Sequence, residues 1–166
     1  MIEGGVRRLE VWLPLALVAA DQATKALVRQ RLPLHDSVTV IPGLLDFTHV
    51  RNSGAAFGIL NAVDFPFKTV VISLVAVAAL VAVGAYAASL ARQQFLARLG
   101  MALILGGAAG NLIDRVSAGF VVDFVDVYWQ TWHFWAFNVA DSAITVGVAV
   151  MILDMLGVGS HVSNAR

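Results

Sequence analysis

Cysteine is absent from this 166-residue chain, which excludes disulfides, thiolate zinc sites and a cysteine nucleophile. Charge is scarce as well: 13% of residues are Asp, Glu, Lys or Arg, against 59% hydrophobic ones. The 11 basic and 11 acidic residues cancel, so no strongly basic surface exists and no nucleic-acid partner is expected. There is no HExxH pattern, and His35, His49, His133 and His161 are scattered. A metal centre is therefore not expected, and these histidines read as surface or interfacial residues. With a mean hydropathy of +0.80, the chain has too little charge to cover a soluble core of its size. One integral membrane domain over residues 1–166 is the expectation.

What is present is a set of apolar runs. Residues 69–90 carry no charge at all, and residues 97–115 and 137–157 form two further runs. Near the start, Arg7 and Arg8 precede an apolar stretch that also fits the basic start and short core of a secretory leader. The apolar pattern resumes after Asp21, however, so residues 11–28 can make one spanning helix. Four spans at about 11–28, 69–90, 97–115 and 137–157 follow, with both termini on one side. Arg7, Arg8, Arg92, Arg98 and Arg166 then face Lys25, Arg29, Arg31, Arg51, Lys68 and Arg115, a balance too even to orient the chain.

Between the first two runs the character changes. Ser37–Ile41 alternates, Pro42-Gly43 signals a turn, and residues 44–50 are rich in β-formers. A small extra-membrane sheet over about 34–60 is expected, either a surface hairpin or a platform for an extended peptide. Gly106 and Gly110 have the GxxxG spacing of tightly packed helices. Residues 128–137 hold one Tyr, three Trp and two Phe and read as an interfacial aromatic belt.

The rare charges carry the chemistry. Asn111, Asp114 and Arg115 fall at i, i+3 and i+4, on one helical face. Asn138 and Asp141 repeat the i, i+3 device, and a loop between the two helices would deliver Asp123. Asp21 and Lys25, at i, i+4, form an ion pair that is either structural or part of a site. Two carboxylates held close cannot both ionise, so such a pair retains one proton and can run acid–base chemistry on a carbonyl. The same acids would also suit a small proton-coupled carrier. A Ser–Lys dyad of Lys25 with Ser53 or Ser142 has no spacing in its favour.

Several blocks add what spacing cannot. Asn111-Leu112-Ile113-Asp114-Arg115, Val121-Val122-Asp123-Phe124 and Phe137-Asn138-Val139-Ala140-Asp141-Ser142 resemble signature blocks of the lipoprotein signal peptidase (signal peptidase II) family. Asn52-Ser53-Gly54-Ala55-Ala56-Phe57-Gly58 and Asp21-Gln22-Ala23-Thr24-Lys25 are similar to two more, in the same order. The resemblance implies a membrane all-α bundle of four transmembrane helices with a small extracytoplasmic β-cradle and cytoplasmic termini. It implies an aspartic endopeptidase of the bacterial inner membrane, with its active site facing the periplasm. Such an enzyme cuts a prolipoprotein before the cysteine that bears diacylglyceryl. By that likeness Asp123 and Asp141 are catalytic, and Asp21, Lys25, Asn52, Gly54, Asn111, Asp114, Arg115, Asn138 and Ala140 line or brace the site. Arg115 is expected to pair with Asp114 or to contact a lipid phosphate. No cofactor is expected; the partners are the lipidated precursor and membrane lipids, and the enzyme is expected to be a monomer.

Overall fold

The computed structural model describes the backbone of residues 3–54 and 67–157 and the side chains of 10–54 and 67–157. Residues 55–60 of the expected cradle, Ala55–Gly58 of the glycine block, His161 and Arg166 lie outside the described residues, as do the side chains of Arg7 and Arg8. Among the described residues four helices form: α1 (Glu3–Arg31), α2 (Lys68–Ser89), α3 (Phe95–Ala118) and α4 (Val139–Met155). Stretches of three of them, Glu10–Arg31, Lys68–Ser89 and Phe95–Ala118, are long and apolar enough to cross a membrane. Helix α4 is as apolar but has only 17 residues.

α1 is unbroken through Asp21, because its acid and lysine find partners on other elements rather than water. Pro14 sits within it, and its Cα lies where a side chain on Gly106 would be, 2.9 Å from an added Cβ. Gly110 meets the same helix, with an added Cβ only 2.7 Å from Asp21 Oδ2. The GxxxG pair thus packs α3 against α1. On the other side of α3, Gly100 and Gly147 of α4 face each other in the helix contact, and Gly107 lies against the Ala140 carbonyl. α3 is the central helix, held at close range by glycine on both flanks.

Between the helices lies an antiparallel sheet in the order β1-β2-β3-β4, formed by Ser37–Ile41, Leu45–Asn52, Val121–Trp129 and Trp132–His133. The first two strands follow the alternation and turn signal at Pro42-Gly43. Residues 121–129, by contrast, were expected as loop around Asp123 and are a nine-residue strand. Both faces of its first half are buried, which erases the alternation by which a strand is read. Val122 and Phe124 pack with Val28 of α1, while Val121 and Asp123 face a cavity. A second apolar cluster, Leu90, Ala97 and Met101, closes the far end of the helices. There Arg98 pairs with Glu10.

Candidate active site

The polar centre is built where α1, α3, β3 and the start of α4 meet. Lys25, wholly buried, reaches Asp21 Oδ2 at 2.8 Å and Asp114 Oδ2 at 3.0 Å. Its Nζ also donates to Asn111 Oδ1 at 2.9 Å. Gln22 Nε2 donates to Asp21, to Asp114 and to the Gly110 carbonyl, each at 3.2 Å. Arg29 stands 3.7 Å from Asp114. Asp21 and Asp114 are therefore neutralised, and each also braces a backbone N–H. Asp21 Oδ1 accepts from the Ala140 backbone N–H at 3.0 Å, so one helix caps the first turn of another. Asp114 Oδ2 accepts from the Val122 N–H at 3.3 Å, fixing the start of β3.

Asp123 and Asp141 are held differently. Asn138 is the N-cap of α4: its Oδ1 accepts from the Asp141 N–H at 2.9 Å. The Asp141 Oδ2 accepts from the Asn138 N–H at 3.3 Å, closing a capping box. With its Oδ1 so engaged, Asn138 must present its amide N–H₂, which donates to Asp123 Oδ1 at 2.7 Å. Asn111 is oriented by the same logic. Its Oδ1 faces the Lys25 ammonium, so its Nδ2 donates to Asp141 Oδ1 at 2.7 Å. Asn52 completes the set. Its Oδ1 accepts from the Gly54 N–H at 3.0 Å, and its Nδ2 donates to Asp123 Oδ2 at 3.1 Å. The sheet register explains that reach: Asn52 pairs with Val121 and Val50 with Asp123, so the two are diagonal neighbours on one face.

Neutral amides thus hold both acids, and neither makes an ion pair among the described residues. Burial, reinforced by the Asp141 charge, pushes Asp123 up to about 7, against the pull of the Asn52 and Asn138 hydrogen bonds and of Lys25. The pair sits at the polar end of a cavity of about 640 Å³. Ala76 and Ala79 of α2, Ile144 and Val146 of α4, and Phe134 and Trp135 of the aromatic segment make its apolar walls.

All of the expected site residues lie in this assembly, with roles that sequence spacing did not assign. Arg115 does not pair with Asp114, which Lys25 has taken. Its guanidinium instead donates to the Asn111 and Gly54 carbonyls at 3.3 and 3.4 Å and lines the cavity. Ala140 contributes its backbone and its small size, since its carbonyl packs on Gly107. Lys25 has no serine partner: Ser142 Oγ donates to the Asn138 carbonyl, and Ser53 lies near Lys68. Sequence reasoning missed Gln22 and Arg29, although Arg29 stands four residues after Lys25 and Gln22 lies inside the Asp21–Lys25 block. His49, read as a surface or interfacial residue, is buried within the protein, with Nδ1 2.8 Å from the Leu32 carbonyl.

The profile of the family described as signal peptidase (SPase) II matches residues 13–157. The chain belongs to the signal peptidase II family. The peptidase is 49% identical over 142 residues to the lipoprotein signal peptidase of Geobacter sulfurreducens, covering 86% of this chain and 88% of that one. It is 51% identical over 138 residues to that of Geobacter metallireducens, covering 82% and 83%. A solved bacterial membrane enzyme superposes with a TM-score of 0.80 at 33% identity, over 95% of this chain and 91% of that one. The peptidase is a membrane protein, and no relative supports the carrier reading of its buried acids.

Proposed function

We propose that the peptidase is an aspartic endopeptidase that releases the signal peptide of a prolipoprotein by cutting before the diacylglyceryl-modified cysteine. Asp123 and Asp141 are its catalytic pair. The observation that carries this reading is their setting: a buried Asp123 and a half-buried Asp141, held among the described residues by amide and backbone N–H groups, at the polar end of an apolar cavity. Such a pair keeps one proton at neutral pH.

Asp123, with its affinity raised to about 7, holds that proton and donates it to the scissile carbonyl oxygen. Asp141, at the positive end of α4, takes a proton from the attacking water. The carbon–nitrogen bond then breaks: one hydroxyl of the diol intermediate returns its proton to Asp123, and the amino group of the cysteine leaves with the proton that Asp141 gained. Arg115 and Asn52 line the same cavity and serve to hold the substrate backbone. Asp21, Lys25, Asn111, Asp114, Asn138 and Ala140 brace the pair, and Gly54 orients Asn52.

In this reading α4 is a fourth crossing, short but within the range that spans a bilayer. Both termini are cytoplasmic, and the sheet and the catalytic pair face the periplasm at the inner membrane. The enzyme acts as a monomer, and the acyl chains of the substrate stay in lipid beside the helices. Reporter fusions after Arg166 and at Asn61 should then report opposite sides.

The test of function is purified peptidase in nanodiscs with matched precursors, lipidated and unlipidated. The lipidated one should be cut at the bond before its cysteine and the other far more slowly. The acyl chains fix the depth of the scissile bond, at about 0.8 kcal/mol of anchoring per buried methylene, and misplaced reacting atoms are costly in rate. Equal turnover of the two would reject the role given to the lipid. Full activity in Asp123→Asn would reject the pair.

A further inference from the structure

The end of the sheet remote from the catalytic pair has a composition unsuited to water. Two turns lie side by side there. The first is Ile41, Pro42, Gly43 and Leu44, between β1 and β2; the second is Trp129, Gln130, Thr131 and Trp132, between β3 and β4. They are tied together: the Tyr128 N–H donates to the Leu44 carbonyl at 2.9 Å, and the Gly43 N–H donates to the Tyr128 hydroxyl at 3.2 Å. Neither turn carries a charge. Their four large side chains are nonetheless open, with Trp129 67%, Trp132 62%, Ile41 46% and Leu44 43% exposed.

Polar groups begin one step back from this tip. Tyr128 donates to Asp46 at 3.2 Å, and His133 stacks on the Tyr128 ring and bonds to Asp126 at 2.9 Å. Apolar residues at the tip, with tyrosine, histidine and carboxylate behind them, follow the polarity gradient of a bilayer boundary. The bilayer is close by: β3 starts three residues after the last residue of α3, and the segment after β4 leads into α4. That segment is anchored to β3 by paired Val125 and Phe137 backbone bonds of 2.8 and 3.0 Å.

We propose that these two turns are a membrane-docking edge, whose occupant is the boundary between lipid headgroups and acyl chains. Ile41, Leu44, Trp129 and Trp132 enter that boundary, so the sheet lies along the membrane surface instead of standing away from it. Asp123 sits on the same strand as Trp129, and the docked edge holds it at a set depth.

The experiment uses single-tryptophan versions of the full chain, with the other tryptophans changed to phenylalanine, in phosphatidylcholine–phosphatidylglycerol vesicles carrying brominated acyl chains. Trp12, on the outer face of α1, is the reference for a lipid-exposed span position. A protein retaining only Trp132 should show blue-shifted emission. Most of that emission should be lost to bromines near the headgroup end of the chains, and little to aqueous iodide. Adding Leu44→Ser should shift its emission to the red, with the Trp12 signal of the matching control unchanged. Strong iodide quenching without bromine quenching overturns the proposal. Protection from both, in a protein that runs as a dimer, also overturns it and assigns the edge to a second copy. None of these readouts depends on peptidase activity, so their failure is distinct from failure of the catalytic reading.

Discussion

Two pairs of carboxylates share the polar centre, and they are treated in opposite ways. Asp21 and Asp114 clasp one ammonium, Lys25, with Arg29 nearby. Among the described residues, Asp123 and Asp141 receive only amide and backbone N–H groups. Asp123 is as buried as Asp21 and Asp114, with Asp141 half-buried beside it, so burial alone does not separate the bracing acids from the proposed catalytic pair. The partner does. A cation removes the reason to hold a proton, whereas a neutral amide fixes the geometry of a carboxylate and leaves much of its desolvation cost unrelieved. Asn111 joins the two systems, facing the lysine with its oxygen and Asp141 with its nitrogen.

Breaking the uncompensated pair should have the largest effect. Asp123→Asn and Asp141→Asn are each expected to lower turnover by about 10²–10⁴-fold while membrane abundance stays near that of the parent protein. A steady-state assay on a lipidated precursor, with immunoblots of the membrane fraction, measures both.

Breaking the compensated pair should instead damage the fold. Lys25→Met strands two buried acids and is expected to cost about 3–5 kcal/mol, seen as reduced abundance and a lower Tm in detergent. Asp114→Asn strands the lysine in part and should act the same way. The double variant sharpens the contrast, because removing charge from both sides should return part of the stability. A double variant less stable than either single one would contradict the pairing as described.

pH separates the two pairs further. Asp123 titrates near 7 in the folded protein, above the ordinary carboxylate value of about 3.9. Between these values the folded state holds a proton that the unfolded chain has lost, so stability should fall as pH rises from about 4 to about 7. The slope is at most about 1.4 kcal/mol per pH unit. Turnover should fall as pH rises above 7, where the pair loses its last proton. Thermal unfolding followed across this range should show a flatter profile in Asp123→Asn.

The smallest effect belongs to an ordinary ion pair at the other end of the bundle. Arg98 and Glu10 are part-exposed and lie far from the acids. Arg98→Gln should change stability by only about 0–1 kcal/mol and leave turnover as it was. A loss comparable to that of Lys25→Met would show that position along α3, and not burial of the charge, governs the cost.

Much of this was legible beforehand. Runs of uncharged residues announce helices because lipid leaves backbone polar groups no other partner, and α2 at Lys68–Ser89 is the clearest case. The turn at Pro42-Gly43 and the alternation before it announced β1 and β2. The spacing of Asn111 with Asp114, and of Asn138 with Asp141, announced two polar helix faces. β3 was not legible, since both its faces are buried around one acid and it lost its period-two pattern. Nor was the fate of Arg115, because adjacency in a sequence does not say which cation reaches an acid first.

The sequence by itself determined that the chain is a membrane protein, that four of its acids lie in separate motif blocks, and which family those blocks belong to. These follow from composition and order, which need no coordinates. Only the tertiary structure decided which acids are neutralised and which are not. Lys25 lies 86 residues from Asn111, and Asp21 lies 119 from Ala140. Those contacts exist because glycines let three helices approach until buried charges had no solvent and had to choose partners from one another.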